Sequence, residues 1–195
     1  MKIKKLTQLM KTPFLSLYDC IHENRVGNEK HWFIASRKSY DELNNQYTKG
    51  EKTSVDAVIL VAHHEDNDEL VLIKQFRVPL NDYIYELPAG LIDAGETITT
   101  SATRELKEET GLSVVKIIET KTRTYLSPGM TDESAALVYL TCTGKVSTDY
   151  LEEDEDITPI LVSKSKAIEI LNGDELIDIK AYMALKDLVS DLNKQ

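Results

Sequence analysis

The clearest alternation of apolar and polar positions lies in the middle of the chain. Residues 55–63 form an apolar run of strand length, and the polar tetrad Glu65-Asp66-Asn67-Asp68 that follows reads as a turn. Residues 70–77 form a second strand, so the two predict a hairpin. A third strand is predicted over residues 83–87, ended by Pro88, which has no N–H to give a ladder. Ile98, Ala102 and Leu106 then recur every four positions, the spacing of one helix face. Thr97 is placed to cap that helix and Gly111 to stop it. Residues 114–124, 135–142 and 160–162 are strand-like. Ser163 caps a helix ending near Gly173, and a last helix over residues 178–192 keeps Ala181, Ala184, Leu185, Leu188 and Leu192 on one face.

The first third is less regular. Residues 1–10 read as a short helix or a loose arm. Residues 14–37 alternate loosely, and the turn-like Val26-Gly27-Asn28-Glu29 divides them into a hairpin. Residues 38–54 are polar and read as a connection, long enough to join two sub-structures. The expected organisation is an N-terminal extension over residues 1–50 and a main domain over residues 51–195. Strands before, around and after a central helix, closed by C-terminal helices, predict an α/β or α+β fold with a mixed sheet.

Charge narrows the function. The chain of 195 residues carries 23 Lys and Arg against 33 Asp and Glu, a net charge of −10. Binding along a nucleic-acid backbone needs a basic face, so no nucleic-acid partner is expected. An acidic protein that handles anions needs a cation between them. The apolar run at residues 57–62 is far short of the ~20 residues that span a bilayer, and no membrane partner is expected. The basic N-terminus lacks the apolar stretch of a signal peptide. Cys20 and Cys142 match no zinc pattern and read as reduced thiols of a cytoplasmic protein.

The chemistry concentrates between Gly90 and Leu112. Glu105, Glu108 and Glu109 stand at i, i+3 and i+4 of the predicted helix, so they share a face with side chains ~5–6 Å apart. Each such pair of like charges costs about 1 kcal/mol in water, and several-fold more near a protein surface. Arg104 reaches Glu108 at i+4, but one arginine does not neutralise three acids. A divalent cation does, and hard oxygen donors suit Mg²⁺ or Mn²⁺. Taken alone, an acidic helix face is usually just solvated, and so is the acidic tract over residues 149–156.

Gly90, Glu96, Arg104, Glu105, Glu108, Glu109 and Gly111, in G, five residues, E, seven residues, R-E-L-K-E-E-T-G-L, resemble the Nudix box with every defining position filled. Tyr85-Glu86-Leu87-Pro88-Ala89-Gly90 before it and Ser127-Pro128-Gly129-Met130-Thr131-Asp132-Glu133 after it resemble the ADP-ribose pyrophosphatase branch of that family. The resemblance spans roughly residues 55–190 and fades over residues 1–50. It implies a Nudix fold, a mixed sheet sandwiched between helices, with a β-rich N-terminal extension that makes a homodimer. It implies Mg²⁺-dependent hydrolysis of a nucleoside diphosphate sugar, ADP-ribose first. Glu105 and Glu109 would be the principal metal ligands, with Glu108, the Ala89 carbonyl and Glu155 completing the set. Glu153 would position or deprotonate water, with Glu152 as the rival base, and Arg104 would orient the carboxylates. Arg77, Glu133, Met130, Arg37 and Trp32 would meet the substrate, Trp32 and Arg37 across the dimer. Met130 stands where the branch often has glycine, which alters the loop over the distal group. His63 and His64 receive no catalytic role. The alternatives are hydrolysis of another derivative (GDP-mannose, NADH, a dinucleoside polyphosphate, an RNA end or cap) and a non-catalytic nucleotide sensor.

Overall fold

A computed structural model describes residues 2–66 and 69–190. Asn67, Asp68 and Leu192, named above, lie outside the described residues. The chain divides into two compact units, one of residues 1–56 with 123–135, the other of residues 57–122 with 136–195.

In the first unit, β1 (Lys2–Lys11), β2 (Ser16–Glu23) and β3 (Glu29–Ser36) form an antiparallel sheet in the order β1-β2-β3. The expected hairpin is β2–β3. The expected helix or arm at the N-terminus is instead a strand, paired with β2 through Leu6↔Cys20 and Met10↔Leu17. Its register shifts between Ile3 and Lys5 and again between Gln8 and Met10, and each shift breaks the two-residue alternation that marks a strand in sequence. The polar connection also proves to be ordered, with α1 spanning Tyr40–Lys49. Ser39 accepts from the Glu42 N–H while Glu42 returns a bond to the Ser39 N–H, a capping box, and Gly50 closes the helix at φ 69°. Leu43 is the sole residue that this helix buries, so no apolar stripe announced it. It packs with Leu6, Tyr18 and Cys20, and Ile34 and Tyr47 line the edge of that cluster.

The second unit is built on a mixed sheet. Its strands are β4 (Ala57–His64), β5 (Glu69–Arg77), β6 (Asp82–Glu86), β7 (Ala89–Leu91), β8 (Ser113–Tyr125), β9 (Ser134–Thr143), β10 (Ile157–Val162) and β11 (Leu176–Ile177). The order is β11-β6-β5-β4-β9-β8, with β10 on β5 and β7 on β4. The β11–β6 pair is parallel, whereas β4–β5, β5–β6, β4–β7 and β5–β10 are antiparallel. Residues 57–62 are all buried, which explains the unbroken apolar run: a strand covered on both faces does not alternate. Three helices pack on this sheet, α2 (Ile98–Thr110) against β4 and β7, α4 (Ile179–Ser190) against β5 and β6, and α3 (Lys164–Asn172) against α4. The α+β class with a mixed sheet and an N-terminal antiparallel sheet is as the sequence implied.

Candidate active site

Helix α2 carries the box acids, and its caps fix where they fall. Thr97 accepts from the Thr100 N–H at one end, and Gly111 takes φ 75° at the other. Ala102 and Leu106 are fully buried and seat the helix, and burial of one leucine side chain contributes ~1.5–3 kcal/mol. Glu105 follows Ala102 by three residues and Glu109 follows Leu106 by three, so both flank the apolar stripe and go under with it. They are 7% and 3% exposed, whereas the Glu108 side chain is 38% exposed.

The turn before the box closes over these acids. Strand β7 is held on β4 by Val58↔Gly90 and Ile59↔Ala89. A Cβ on Gly90 would lie 2.0 Å from the Glu105 carboxyl, so no side chain fits there. The Ala89 N–H donates to Glu109 Oε2 at 2.9 Å. No basic side chain bonds Glu109 among the described residues.

Arg104 is the hub on the other side. Its Nη1 donates to Glu105 Oε1 at 2.8 Å and Glu108 Oε2 at 2.9 Å. Its Nε and Nη2 donate to Glu96 at 3.0 and 2.8 Å, and Nη2 reaches the Leu91 carbonyl at 2.9 Å. Arg104 therefore contacts three of the box acids at once. Its hydrogen bonds, with help from the Ser101 hydroxyl, hold the Glu96 carboxyl down to about 2.

The buried acids shift the other way. Burial pushes Glu105 up to about 6, against the pull of Arg104, with Glu108 and Glu155 adding like charge. Burial raises Glu109 well above the usual carboxylate range, and Glu105 and Glu155 raise it further. Glu155, half-buried, is thus the member of the acidic tract whose charge these two carboxylates feel. It accepts from the Glu152 N–H at 2.9 Å. Glu152 and Glu153 are exposed, and among the described residues the Glu153 side chain makes no hydrogen bond. The end of the tract is tied to the sheet: the Asp156 carbonyl accepts from the Phe76 N–H at 3.1 Å, and Tyr83 Oη donates to Asp156 Oδ2 at 2.5 Å.

Among the described residues no three His, Cys, Asp or Glu side chains are arranged to hold a metal ion as they stand. The donor chemistry nonetheless suits a hard divalent cation. Of two buried carboxylates one turn apart, Glu105 is bonded by Arg104 and Glu109 by no basic side chain among the described residues, and Glu155 adds to their negative field. Arg77, expected at the substrate, is held side-on by Glu86, with Nε and Nη2 each donating at 2.7 Å. Glu86 is 9% exposed. Glu86 stands in the segment before the box, but its partner lies on the preceding strand, so the linear pattern assigns it no role.

The remaining expected residues lie in the first unit. The Trp32 indole N–H donates to the Gly129 carbonyl at 3.1 Å, the Ala35 N–H to the Met130 carbonyl at 3.0 Å, and Arg37 Nε to Glu133 Oε1 at 2.7 Å. These bonds bring Trp32, Arg37, Met130 and Glu133 together along one seam between β3 and residues 127–133. Met130 is 64% exposed, and an open cavity of about 260 Å³ lies here, lined by Trp32, Ile34, Tyr47, Tyr125, Pro128 and Met130 among others. Sequence reasoning missed the support of this seam, the buried Lys38. Its ammonium is 3.0 Å from both Asp56 and Asp132, and Asp56 also accepts from the Ser134 N–H and hydroxyl.

A glycine turn thus closes over two buried glutamates on a capped helix. The family model of the NUDIX domain matches residues 52–194, and the chain belongs to that family. It is 33% identical over 192 residues to "Putative nudix hydrolase 2" of Caenorhabditis elegans, covering 92% of this chain and 81% of that protein. It is 38% identical over 129 residues to "ADP-ribose pyrophosphatase" of Saccharomyces cerevisiae, covering 64% of this chain and about half, 51%, of the yeast protein. A crystal structure of an "ADP compounds hydrolase" shares the fold with a TM-score of 0.72 at 19% identity, over 99% of this chain and 94% of that one.

Proposed function

We propose that this protein hydrolyses the pyrophosphate bond of a nucleoside diphosphate sugar, ADP-ribose first, to AMP and ribose 5-phosphate. The observation that carries the reading is the burial of Glu105 and Glu109, side by side against the Ala89–Gly90 turn, with Arg104 bonded to Glu105 and no basic side chain bonded to Glu109 among the described residues. The yeast relative's name supports the choice of substrate. Glu105, Glu109, Glu108, the Ala89 carbonyl and Glu155 would hold Mg²⁺ or Mn²⁺. A bound divalent ion neutralises pyrophosphate oxygens and lowers the pKa of an attacking water. Arg104 aligns Glu105 and Glu108 by the bonds described above. Glu153, or its neighbour Glu152, accepts the water's proton; their exposure leaves them able to exchange it with solvent. Arg77 contacts a substrate phosphate, and Glu133, Met130, Arg37 and Trp32 contact the nucleoside or terminal sugar.

Residues 51–195 form the hydrolase domain in this reading, and residues 1–50 the segment through which two copies pair. Cys20 and Cys142 are buried free thiols, which suits a reducing compartment such as the cytoplasm. The test is a panel of ADP-ribose, GDP-mannose, NADH and diadenosine polyphosphates with Mg²⁺ or Mn²⁺, with products identified by mass. Release of AMP and ribose 5-phosphate, abolished by EDTA, is expected. A panel left intact defeats the reading, and tight nucleotide binding without turnover favours a sensor instead.

A further inference from the structure

Arg77 closes β5 and Glu86 closes β6, yet they are not ladder partners. Arg77 stands opposite Asp82, and Glu86 stands opposite Ile73. An arginine that merely needed a counter-ion would take Asp82, the exposed acid directly across. Arg77 instead folds back along the hairpin to Glu86 and engages both carboxylate oxygens at 2.7 Å. The two ends of this pair differ. The Glu86 side chain is 12% exposed and the Arg77 side chain 42%. A carboxylate fixed in the protein therefore grips one edge of the guanidinium of a side chain that is partly open to solvent. The grip uses the Nε hydrogen and one Nη2 hydrogen. The two Nη1 hydrogens and the second Nη2 hydrogen make no hydrogen bond among the described residues. Arg77 also lies within the field of Glu109, so those donors belong to the neighbourhood of the candidate site.

We propose that Glu86 is a positioning residue, holding Arg77 side-on so that its remaining donors meet the phosphate oxygens of the nucleoside diphosphate substrate. The proposal rests on the hydrolase reading above and deepens it. The planar fork explains why arginine is needed: two parallel bonds to Glu86 fix the plane of the guanidinium, and a lysine ammonium gripped at one point fixes no plane. A phosphate then meets donors already in place, without first stripping a mobile side chain of its rotamers.

The test is a kinetic double-mutant cycle on the full chain. Glu86→Gln keeps the shape but sets an amide NH₂ against an arginine N–H. We expect KM to rise about tenfold with kcat and Tm little changed, and Glu86→Asp to fall between the two. Arg77→Ala should raise KM at least as much, and Glu86→Gln should add nothing in that background. Equal KM effects of Glu86→Gln with and without Arg77 overturn the proposal, as does a loss of Tm with KM unchanged. A wild-type protein that leaves the panel intact defeats the hydrolase reading instead. The Arg77 Nε–H resonance then decides the positioning role: a shift on adding ADP-ribose that Glu86→Gln abolishes supports it, and no shift, or the same shift in both proteins, overturns it.

Discussion

Glu109 is 3% exposed and receives one backbone N–H. A carboxylate so placed is tolerated by staying protonated or by finding a cation, since an unpaired buried charge is among the costliest groups in a protein. A structural glutamate and a ligand therefore differ under substitution. If Glu109 holds the metal, Glu109→Gln removes nothing the metal-free protein needs. Its Tm in EDTA should match or exceed that of the wild type, while hydrolysis falls by at least the ~10–100-fold that even outer-shell substitutions at metal sites cost. Added Mg²⁺ should raise the wild-type Tm by mass action and leave the variant where it was. Differential scanning calorimetry with and without Mg²⁺ reads both effects. A variant that melts early in EDTA, with its metal response intact, would make Glu109 a packing residue.

Arg104 at the same scale ties the acids together, and its partnership with Glu96 sets a pH dependence. The Glu96 carboxyl is held down to about 2, so its share of stability is fully present above its unfolded value near 4.5. That share is lost as pH falls from there through about 2. Glu96→Gln has no charge to lose. Urea unfolding should find the wild type more stable than the variant at pH 6, with the gap closing as pH is lowered towards 3 and beyond. A gap that stays constant with pH would show that Arg104 gains from shape alone.

Among elements, α2 was legible because its signals are local: apolar residues every four positions, a cap at Thr97 and a stop at Gly111. The carboxylates ride on the same helix, so Glu105, Glu108 and Glu109, the acids proposed to hold the metal, were legible with it. Other elements left no such mark. The two register shifts in β1 disrupt its alternation, α1 buries Leu43 alone, and β7 and β11 have 3 and 2 residues, too few for a period to show. Side chains that meet across the fold were equally hidden. Nothing in a linear pattern says that Lys38 will meet Asp56 and Asp132, or that Arg77 will pass Asp82 for Glu86. The Lys38 cluster invites a direct test. The side chains of Lys38, Asp56 and Asp132 are 7%, 10% and 13% exposed. Lys38→Met leaves two buried carboxylates without their cation, and breaking such a cluster costs about 3–5 kcal/mol. Chemical denaturation should show a loss of that size. The triple variant Lys38→Met, Asp56→Asn, Asp132→Asn should recover part of it, because the stranded charges go with the lysine.

For the whole molecule, the sheet β1-β2-β3 raises the question of what covers its second face. Tyr18 and Cys20 point into the cluster with Leu43, so by alternation Leu17 and its ladder partners Met10 and Ala35 point away, as does Phe33 opposite Asp19. Met10, Leu17 and Phe33 are 60%, 39% and 59% exposed. Apolar side chains gathered on one sheet face mark an interaction surface more often than chance exposure does. A second copy of the chain is the occupant the family resemblance implies, and a two-fold pairing would set each patch against its own image. Sedimentation equilibrium should therefore return twice the 22.0 kDa of the chain. Phe33→Glu, which adds a second carboxylate opposite Asp19 on that face, should return the single mass while the far-ultraviolet circular dichroism stays native. Because Trp32 and Arg37 belong to the strand and junction that such pairing would immobilise, KM should rise in the monomeric variant more than kcat falls. A wild type that sediments as a monomer, or a Phe33→Glu dimer, would remove the N-terminal sheet from the interface and leave its apolar face to another partner.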